Sequence, residues 1–402
     1  MLTRSGWGAI GLAAISFVVG RVFGLVELYV LAVGLLAATG VAVVTMLARP
    51  PRLAVRRLVD PSTVQAGDAA RVDMQIANTG SRRSPVLQLW EPVGTTGGAT
   101  MNLAPLRPRE RTVAAYRLPT SNRGVVLVGP MRARRRDVLG LASRTFVVPG
   151  SGELLVMPRH VPVRFTLGGS SGRLGDHLRM RAYGQSGSEF HSLREYVVGD
   201  DLRRISWKAS ARTNDLIVTE TALEGVKRCT VVFDSSPHGV ATNDPGEAEA
   251  AAAAFERGVS AAASLVTGAV ASGLASRVVA PDIDLRGHDV APAALRWLAT
   301  VQPEPVGVDR LPSLKAGEGM GIVLAVTSSS SSAFAAAVRA TLSPDDTLVI
   351  VATRTVGGTE RFVVDASSTD GFLDSWARLT GSMATGPRLP AAYGQSTYEA
   401  VG

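Results

Sequence analysis

The sequence predicts a multidomain chain: an N-terminal transmembrane helical hairpin, then a β-sandwich, then a doubly wound α/β domain. Three observations predict it. Residues 6–47 carry only two charges, Arg21 and Glu27. Short runs of period-two hydropathy, broken by Gly, Pro, Asn and Ser, then follow to about residue 158. From residue 227 β-rich runs alternate with helical patterns, the mark of a parallel sheet with helices on both faces. A length of 402 residues admits two or three domains. With 46% apolar and 19% charged residues, disordered and fibrous classes are excluded. A single cysteine, Cys229, excludes an intramolecular disulfide framework and any multi-cysteine zinc or iron–sulfur site.

The hairpin comes first. Leu28 to Leu47 is free of charge, and at about 1.5 Å per residue it matches one hydrocarbon core. The first span runs from Trp7 past Arg21, which must snorkel to the interface. A cleaved signal peptide and a single span are the alternatives. Arg4 precedes the first span, and Arg49, Arg52, Arg56 and Arg57 follow the second. The positive-inside rule therefore puts both termini and the bulk of the chain in the cytoplasm of a two-span membrane protein. The lipid bilayer is the expected partner of residues 6–47.

Residues 49–158 form the expected β-sandwich. Arg71 to Ile76 alternates polar and apolar residues and ends at the turn signal Asn78-Thr79-Gly80. Val86–Leu89, Thr112–Leu118, Val125–Val128 and Arg144–Val148 repeat the pattern at immunoglobulin-like spacing. Residues 49–144 hold 17 arginines against 6 acids, whereas residues 231–402 hold 11 bases against 18 acids. The basic stretch follows a span directly, so an anionic leaflet is its nearest partner. Solvated arginines are the bland alternative. Nucleic acid is not expected, because only Trp90, Tyr116 and Phe146 could stack on bases.

Residues 159–226 connect the domains. Gly168 to Gly172 formally matches G-x-S-x-G, but a nucleophile elbow needs a strand before it and a helix after it. Residues 187–220 interleave Glu189, Arg194, Glu195, Asp200, Asp201, Arg203, Arg204, Lys208, Arg212 and Asp215. Asp200 or Asp201 would cap a short helix from Leu202, anchored by Ile205 and Trp207, before a strand at Leu216–Thr219. The charges read either as an ion-pair lock between domains or as a docking surface, since Arg and Trp favour interface hot spots. A catalytic carboxylate pair is the third option. Adjacent acids do not bracket a substrate as glycoside hydrolysis requires.

This segment resembles the signature of the domain-of-unknown-function-58 family. Ser188-Glu189-Phe190, Leu193 to Tyr196, Gly199 to Asp201, Arg203, Ile205, Trp207, Lys208 and Ser210 to Thr213 carry the resemblance. Gly129-Pro130 and Asp137 to Leu141 resemble two upstream elements, with Val138 and Leu139 in place of the usual Pro-Phe. The resemblance implies two N-terminal spans, a β-rich region and a von Willebrand factor A-like domain in a bacterial chain. It also implies MoxR-type AAA+ ATPases and transglutaminase-like membrane proteins as candidate partners. It implies no reaction.

The C-terminal residues 227–380 read independently as α/β. Cys229 to Asp234 is a strand ending in an acid, and Asp244-Pro245 opens a long alanine-rich helix to about Leu274. Strands follow at Arg277–Ala280, Gly321–Val326, Thr347–Ala352 and Arg361–Val364. Helices follow at Ala293–Val301, Ser332–Leu342 and Asp370–Leu379, and residues 381–402 read as a disordered tail. Ligands on such sheets bind beyond the strand carboxyl ends, where Asp234, Asp282 and Thr327 fall. Von Willebrand-type domains hold Mg²⁺ there through D-x-S-x-S plus a later Thr and Asp. Here Asp234 and Ser236 remain, His238 replaces the last serine, and no Asp follows Thr327. Asp234 and Ser236 are thus the candidate metal ligands of a reduced site, with a turn-capping pair as the alternative. No cofactor other than Mg²⁺ is suggested. There is no P-loop, no H-E-x-x-H and no dinucleotide fingerprint. The expected function is a non-enzymatic, membrane-anchored adaptor or assembly factor for an AAA+ ATPase in cell-envelope processes. A divalent-metal sensor or enzyme at Asp234, and a passive membrane scaffold, are the alternatives.

Overall fold

A computed structural model describes residues 2–95, 97–165, 173–174, 177, 190–196, 205–213, 215–221, 228–236, 244–304, 314, 320–344, 346–354 and 362–381. The chain divides into two compact units, residues 1–158 and 159–402.

The first unit opens with two helices, α1 (Arg4–Phe23) and α2 (Val26–Leu47), each long and apolar enough to cross a membrane. Thr3 caps α1 by accepting the Gly6 amide at 3.1 Å, and Gly24, at φ 72°, ends it in the left-handed conformation that glycine adopts without strain. Apart from Met46 near the end of α2, the buried positions are small: Gly6, Ala13, Ser16 and Gly20 on α1, and Ala32, Thr39 and Ala42 on α2. Small residues let two helix backbones approach closely. At Gly20 a Cβ would stand 3.1 Å from the Leu25 carbonyl oxygen. The larger apolar side chains, including Ile15, Val22, Val30, Val33 and Val44, are exposed.

Ten strands follow: β1 (Leu53–Asp60), β2 (Thr63–Gln65), β3 (Arg71–Asn78), β4 (Leu87–Val93), β5 (Gly97–Leu103), β6 (Arg111–Arg117), β7 (Gly124–Val128), β8 (Met131–Arg136), β9 (Ser143–Val148) and β10 (Gly152–Met157). They build a three-stranded sheet, β1-β3-β6, and a seven-stranded sheet, β2-β10-β7-β4-β8-β9, with β5 paired to β4. Alternate residues point inward. Met74 and Ile76 of one sheet meet Leu87, Leu89, Met131 and Ala133 of the other in one buried cluster. Val72 packs with Val93, Val128, Leu154 and Val156 in a second. Strands β1, β2, β5, β8 and β10 lie outside the runs expected from hydropathy. The cause in β8 is composition: Met-Arg-Ala-Arg-Arg-Arg alternates, but only Met131 and Ala133 are apolar enough to show it.

In the second unit, β11 (Phe190–Glu195) pairs antiparallel with β12 (Ile217–Thr221), and the short helix α3 (Trp207–Thr213) lies between them in sequence. The other strands are β13 (Arg228–Phe233), β14 (Ala275–Ala280), β15 (Ile283–Arg286), β16 (Ile322–Thr327), β17 (Thr347–Ala352) and β18 (Val363–Asp365). The helices are α4 (Pro245–Ala271), α5 (Val290–Thr300), α6 (Ala333–Thr341) and α7 (Thr369–Thr380). The sheet order is β15-β14-β13-β16-β17-β18, parallel except for the β14–β15 hairpin. Consecutive residues of β13 face opposite sides. Val232 packs with Phe334 and Val338 of α6, while Phe233 makes edge contacts with Phe255 of α4 and Trp297 of α5. Helices therefore cover both faces. The antiparallel β15 is a correction to the purely alternating pattern. It is four residues long and carries Asp284 and Arg286, so it reads as loop.

Candidate functional site

The parallel strands β14-β13-β16-β17-β18 have the order 2-1-3-4-5, so the chain leaves β13 and β16 toward opposite faces. Asp234 and Thr327 stand at the carboxyl ends of that pair. Both are buried, at 3% and 0% exposure. The Asp234 amide donates to the Val326 carbonyl oxygen at 3.0 Å, which fixes the two strand ends against each other. Thr327 donates its hydroxyl to Asp234 Oδ2 at 2.6 Å. Ser236 donates its hydroxyl to Oδ1 at 2.5 Å and its amide to the same oxygen at 3.0 Å.

Two more serines hold this group in place. Ser332 Oγ lies 3.0 Å from Thr327 Oγ1 and accepts the Ala335 amide at 3.1 Å as the N-cap of α6. The proton of Thr327 is committed to Asp234, so Ser332 is the donor of that pair. Ser235 donates to Glu304 Oε1 at 3.1 Å, and its carbonyl oxygen accepts the Glu304 amide at 2.8 Å. The site thus contains one central carboxylate, the hydroxyls of Ser236, Thr327 and Ser332, and Glu304 tethered at the margin. Among the described residues no three His, Cys, Asp or Glu side chains converge.

Asp234, Ser236 and Thr327 come together as the sequence spacing suggests. Asp282 does not join them: it accepts a hydrogen bond from Trp297 Nε1 at 3.3 Å. His238 lies outside the described residues. Glu304 and Ser332 were not singled out in the sequence. Ser332 carries a signal as the residue opening a helical pattern, whereas Glu304 stands in no motif.

The signature segment is described in part. Glu189, Asp200, Asp201, Arg203 and Arg204, the Gly168–Gly172 linker and the tail beyond Gly381 lie outside the described residues. Arg194 and Glu195 close β11, opposite Val218 and Ile217. The Ile217 amide donates to Ser210 Oγ at 2.8 Å and the Ser206 amide to the Ile217 carbonyl oxygen at 2.8 Å, which ties α3 to β12. Ile205 is buried, as an anchor must be. Trp207 is not: it is 69% exposed, alongside exposed Lys208 and Arg212. The described helix begins at Trp207, five residues after Leu202, and its first residue turns outward.

Two other clusters bear on stability. In the first unit Arg57 Nε donates to Glu91 Oε1, and Tyr116 donates its phenol to Glu91 Oε2 at 2.7 Å. The Arg57 and Glu91 side chains are 4% and 0% exposed, and Arg57 Nη2 is buried without a partner. Burial, then the Glu91 hydrogen bond and charge, raise the Tyr116 phenol far above its ordinary range. In the second unit hydrogen bonds from Arg277, at 2.7 and 2.8 Å, and from Arg286, at 3.1 and 2.7 Å, hold Asp284 well below the usual carboxylate range. Cys229 is buried, and burial pushes its thiol up to about 12, so it is no nucleophile.

A family model described as protein of unknown function DUF58 matches residues 192–340, from within β11 to within α6. No curated protein matches the chain. Among solved structures, the CARDB domain of the PF1109 protein from Pyrococcus furiosus, described in complex with di-metal ions, is similar at 16% identity and a TM-score of 0.21, over 27% of this chain and 96% of that one. The alkylpurine DNA glycosylase AlkC of Pseudomonas fluorescens gives 11% identity and a TM-score of 0.20, over 29% and 34%. A β-glucosidase from Listeria innocua gives 12% and 0.17, over 26% and 16%.

Proposed function

We propose that the protein is a membrane-anchored adaptor whose α/β unit captures an acidic group of a partner at the Asp234 end of its sheet. The observation that carries this reading is the convergence of Asp234, Ser236 and Thr327 at the switch point of the sheet, where open α/β sheets bind their ligands. The von Willebrand A-like reading rests on the same three residues and on the mostly parallel sheet. The donor set fits a hard cation of the Mg²⁺ type. Mg²⁺ takes oxygen ligands, needs only one or two carboxylates and keeps several waters. Asp234 would hold it, with Ser236 and Thr327 beside, and the bound ion would supply an electrophilic centre for a partner's carboxylate. Ser332 orients Thr327, and Ser235 restrains Glu304 at the margin.

The anchor reading is supported by α1 and α2, whose outward faces carry exposed Ile, Val and Phe side chains. Arg4 at the start of α1 and Arg49 and Arg52 after α2 favour a cytoplasmic location for everything beyond residue 48. The exposed Trp207, flanked by Lys208 and Arg212, supports a second docking surface on the signature segment. An AAA+ ATPase is the proposed partner.

Calorimetric titration of the full-length chain in detergent with Mg²⁺ and Mn²⁺ tests the site. Binding heat is expected from the wild type and none from Asp234→Asn with an unchanged circular dichroism spectrum. Absence of heat and of any melting shift in the wild type overturns the metal reading. Crosslinking in native membranes tests the adaptor role: recovery of envelope proteins without an ATPase overturns it.

A further inference from the structure

We infer that the loop Asp137–Ala142 is an interfacial foot of the first unit, whose exposed Val138 and Leu139 enter the bilayer surface beside the helical hairpin. The inference rests on the membrane-anchor reading above, and it adds a contact that the hairpin does not require. Its first support is position. Thr3 donates its amide to the Leu141 carbonyl oxygen at 3.0 Å and its hydroxyl to the Gly140 carbonyl oxygen at 2.6 Å. Leu2 forms a bridge with Ala142. A Cβ on Gly6 would run into the Leu141 carbonyl, so α1 accepts the loop only at a glycine. On the other helix, Ala142 packs in a buried cluster with Ala42 and Met46, and Val43 and Leu141 line its edge.

Those contacts set a depth. Ala42 lies five residues before Leu47, the last residue of α2. At about 1.5 Å per residue the loop therefore reaches roughly 7 Å below the end of the span. Interfacial segments bury their apolar faces about 5–10 Å into the boundary between headgroups and acyl chains. A loop at that level is at the membrane surface whenever the helices span.

Chemistry agrees with position. Val138 is fully exposed and Leu139 is 66% exposed, while the loop that carries them is tightly closed. Asp137 accepts the amides of Leu139 at 3.0 Å and Ala142 at 2.5 Å, and its carbonyl oxygen accepts the Gly140 amide at 3.0 Å. Two apolar side chains are thus held outward by a rigid turn rather than left there by a slack one. The flanks are cationic. Exposed Arg134 and Arg136 precede the loop, and Arg144 follows it, donating to the Met46 and Ala48 carbonyl oxygens at 3.1 and 3.2 Å. Exposed Arg4 and Arg49 stand at the ends of the helices. An apolar tip within an arginine collar matches a lipid surface with anionic headgroups.

The test uses the full-length chain in vesicles of phosphatidylcholine and phosphatidylglycerol. An environment-sensitive fluorophore is placed at Val138→Cys, Leu139→Cys, Val33→Cys or Ser121→Cys. Val33 is exposed within α2, seven residues from its start and fourteen from its end, and Ser121 follows the Arg117 end of β6, which borders the Asp60 end of β1, away from the helices. Buried Cys229 stays unlabelled at neutral pH. With lipids brominated high on the acyl chain, labels at 138 and 139 are expected to lose about half their intensity, as groups at interfacial depth should. The label at 121 should lose none. Quenching at 33 by deeply brominated lipid without quenching at 138 or 139 overturns the foot and spares the anchor. Failure of quenching at 33 overturns both.

Discussion

Replacing Glu91 by glutamine removes a carboxylate from between the two sheets of the first unit and leaves the Arg57 charge behind. Arg57 has no other place to go. Its side chain is 4% exposed, and Nη2 already lacks a partner. Two glycines hold the guanidinium from the side. A Cβ on Gly150, at φ 110°, would stand 2.7 Å from Arg57 Nη1, and one on Gly129, at φ 84°, would stand 3.6 Å from Nη2. Breaking a buried pair by neutralising one member costs about 3–5 kcal/mol, because an uncompensated charge remains in the interior. A surface pair would cost about 0–1 kcal/mol. At about 1.4 kcal/mol per factor of ten, hydrogen-exchange protection of the β1 and β4 amides should fall roughly 100- to 4000-fold. Exchange is the right assay because it reads this unit separately from the other. The double variant Arg57→Met/Glu91→Gln removes both charges and keeps an acceptor for Tyr116, so it should recover most of the loss. Protection within about 1 kcal/mol of wild type for Glu91→Gln would refute the reasoning. So would a double variant as unstable as the two single changes added together.

Two further predictions concern pH. Tyr116 is held neutral by burial and by its bond to Glu91. Below its ordinary value of about 10 both folded and unfolded chains keep the phenol protonated, and above it only the unfolded chain ionises. Stability of the first unit should therefore fall as pH rises above that value, and Tyr116→Phe should flatten the fall in alkaline unfolding followed by circular dichroism. Asp284 runs the other way: its depressed carboxyl contributes stability above its ordinary range, lost as pH drops below about 4. Acid unfolding of the second unit should therefore start at lower pH in wild type than in Asp284→Asn, which lacks this contribution throughout, by a small margin because Asp284 is 39% exposed and screened.

Periodicity carried much of the architecture. The two apolar stretches, the half-buried runs of the first unit and the β–α alternation of the second all depend on neighbours along the chain, so they are legible in it. The core strands β13, β16 and β17 are nearly continuous apolar runs because both their faces are covered. Strands β8 and β15 were hidden because arginines and acids occupy their exposed phases. The Arg57–Glu91 pair left a trace that hydropathy alone passes over. Glu91 falls in phase with Leu87, Leu89 and Val93, and Arg57 with Leu53, Val55 and Val59. A charge in an apolar phase is buried by register, but only the packing of one sheet on the other chooses its partner.

The sequence by itself determined which segments are apolar, which strands alternate, and that an Asp-x-Ser ends the first strand of the α/β unit. Those properties arise from residues within one or two turns of each other. Only the tertiary structure decided that Thr327, 93 residues away, places its hydroxyl on Asp234, that Glu304 is drawn in by Ser235, and that Trp207 faces out. Sheet order brings β13 beside β16, and order is set by how helices of opposite faces pack, a non-local choice that no window of sequence contains. The same holds for Val138 and Leu139. Their exposure beside the ends of α1 and α2 follows from the closure of a turn 137 residues from its partner Thr3.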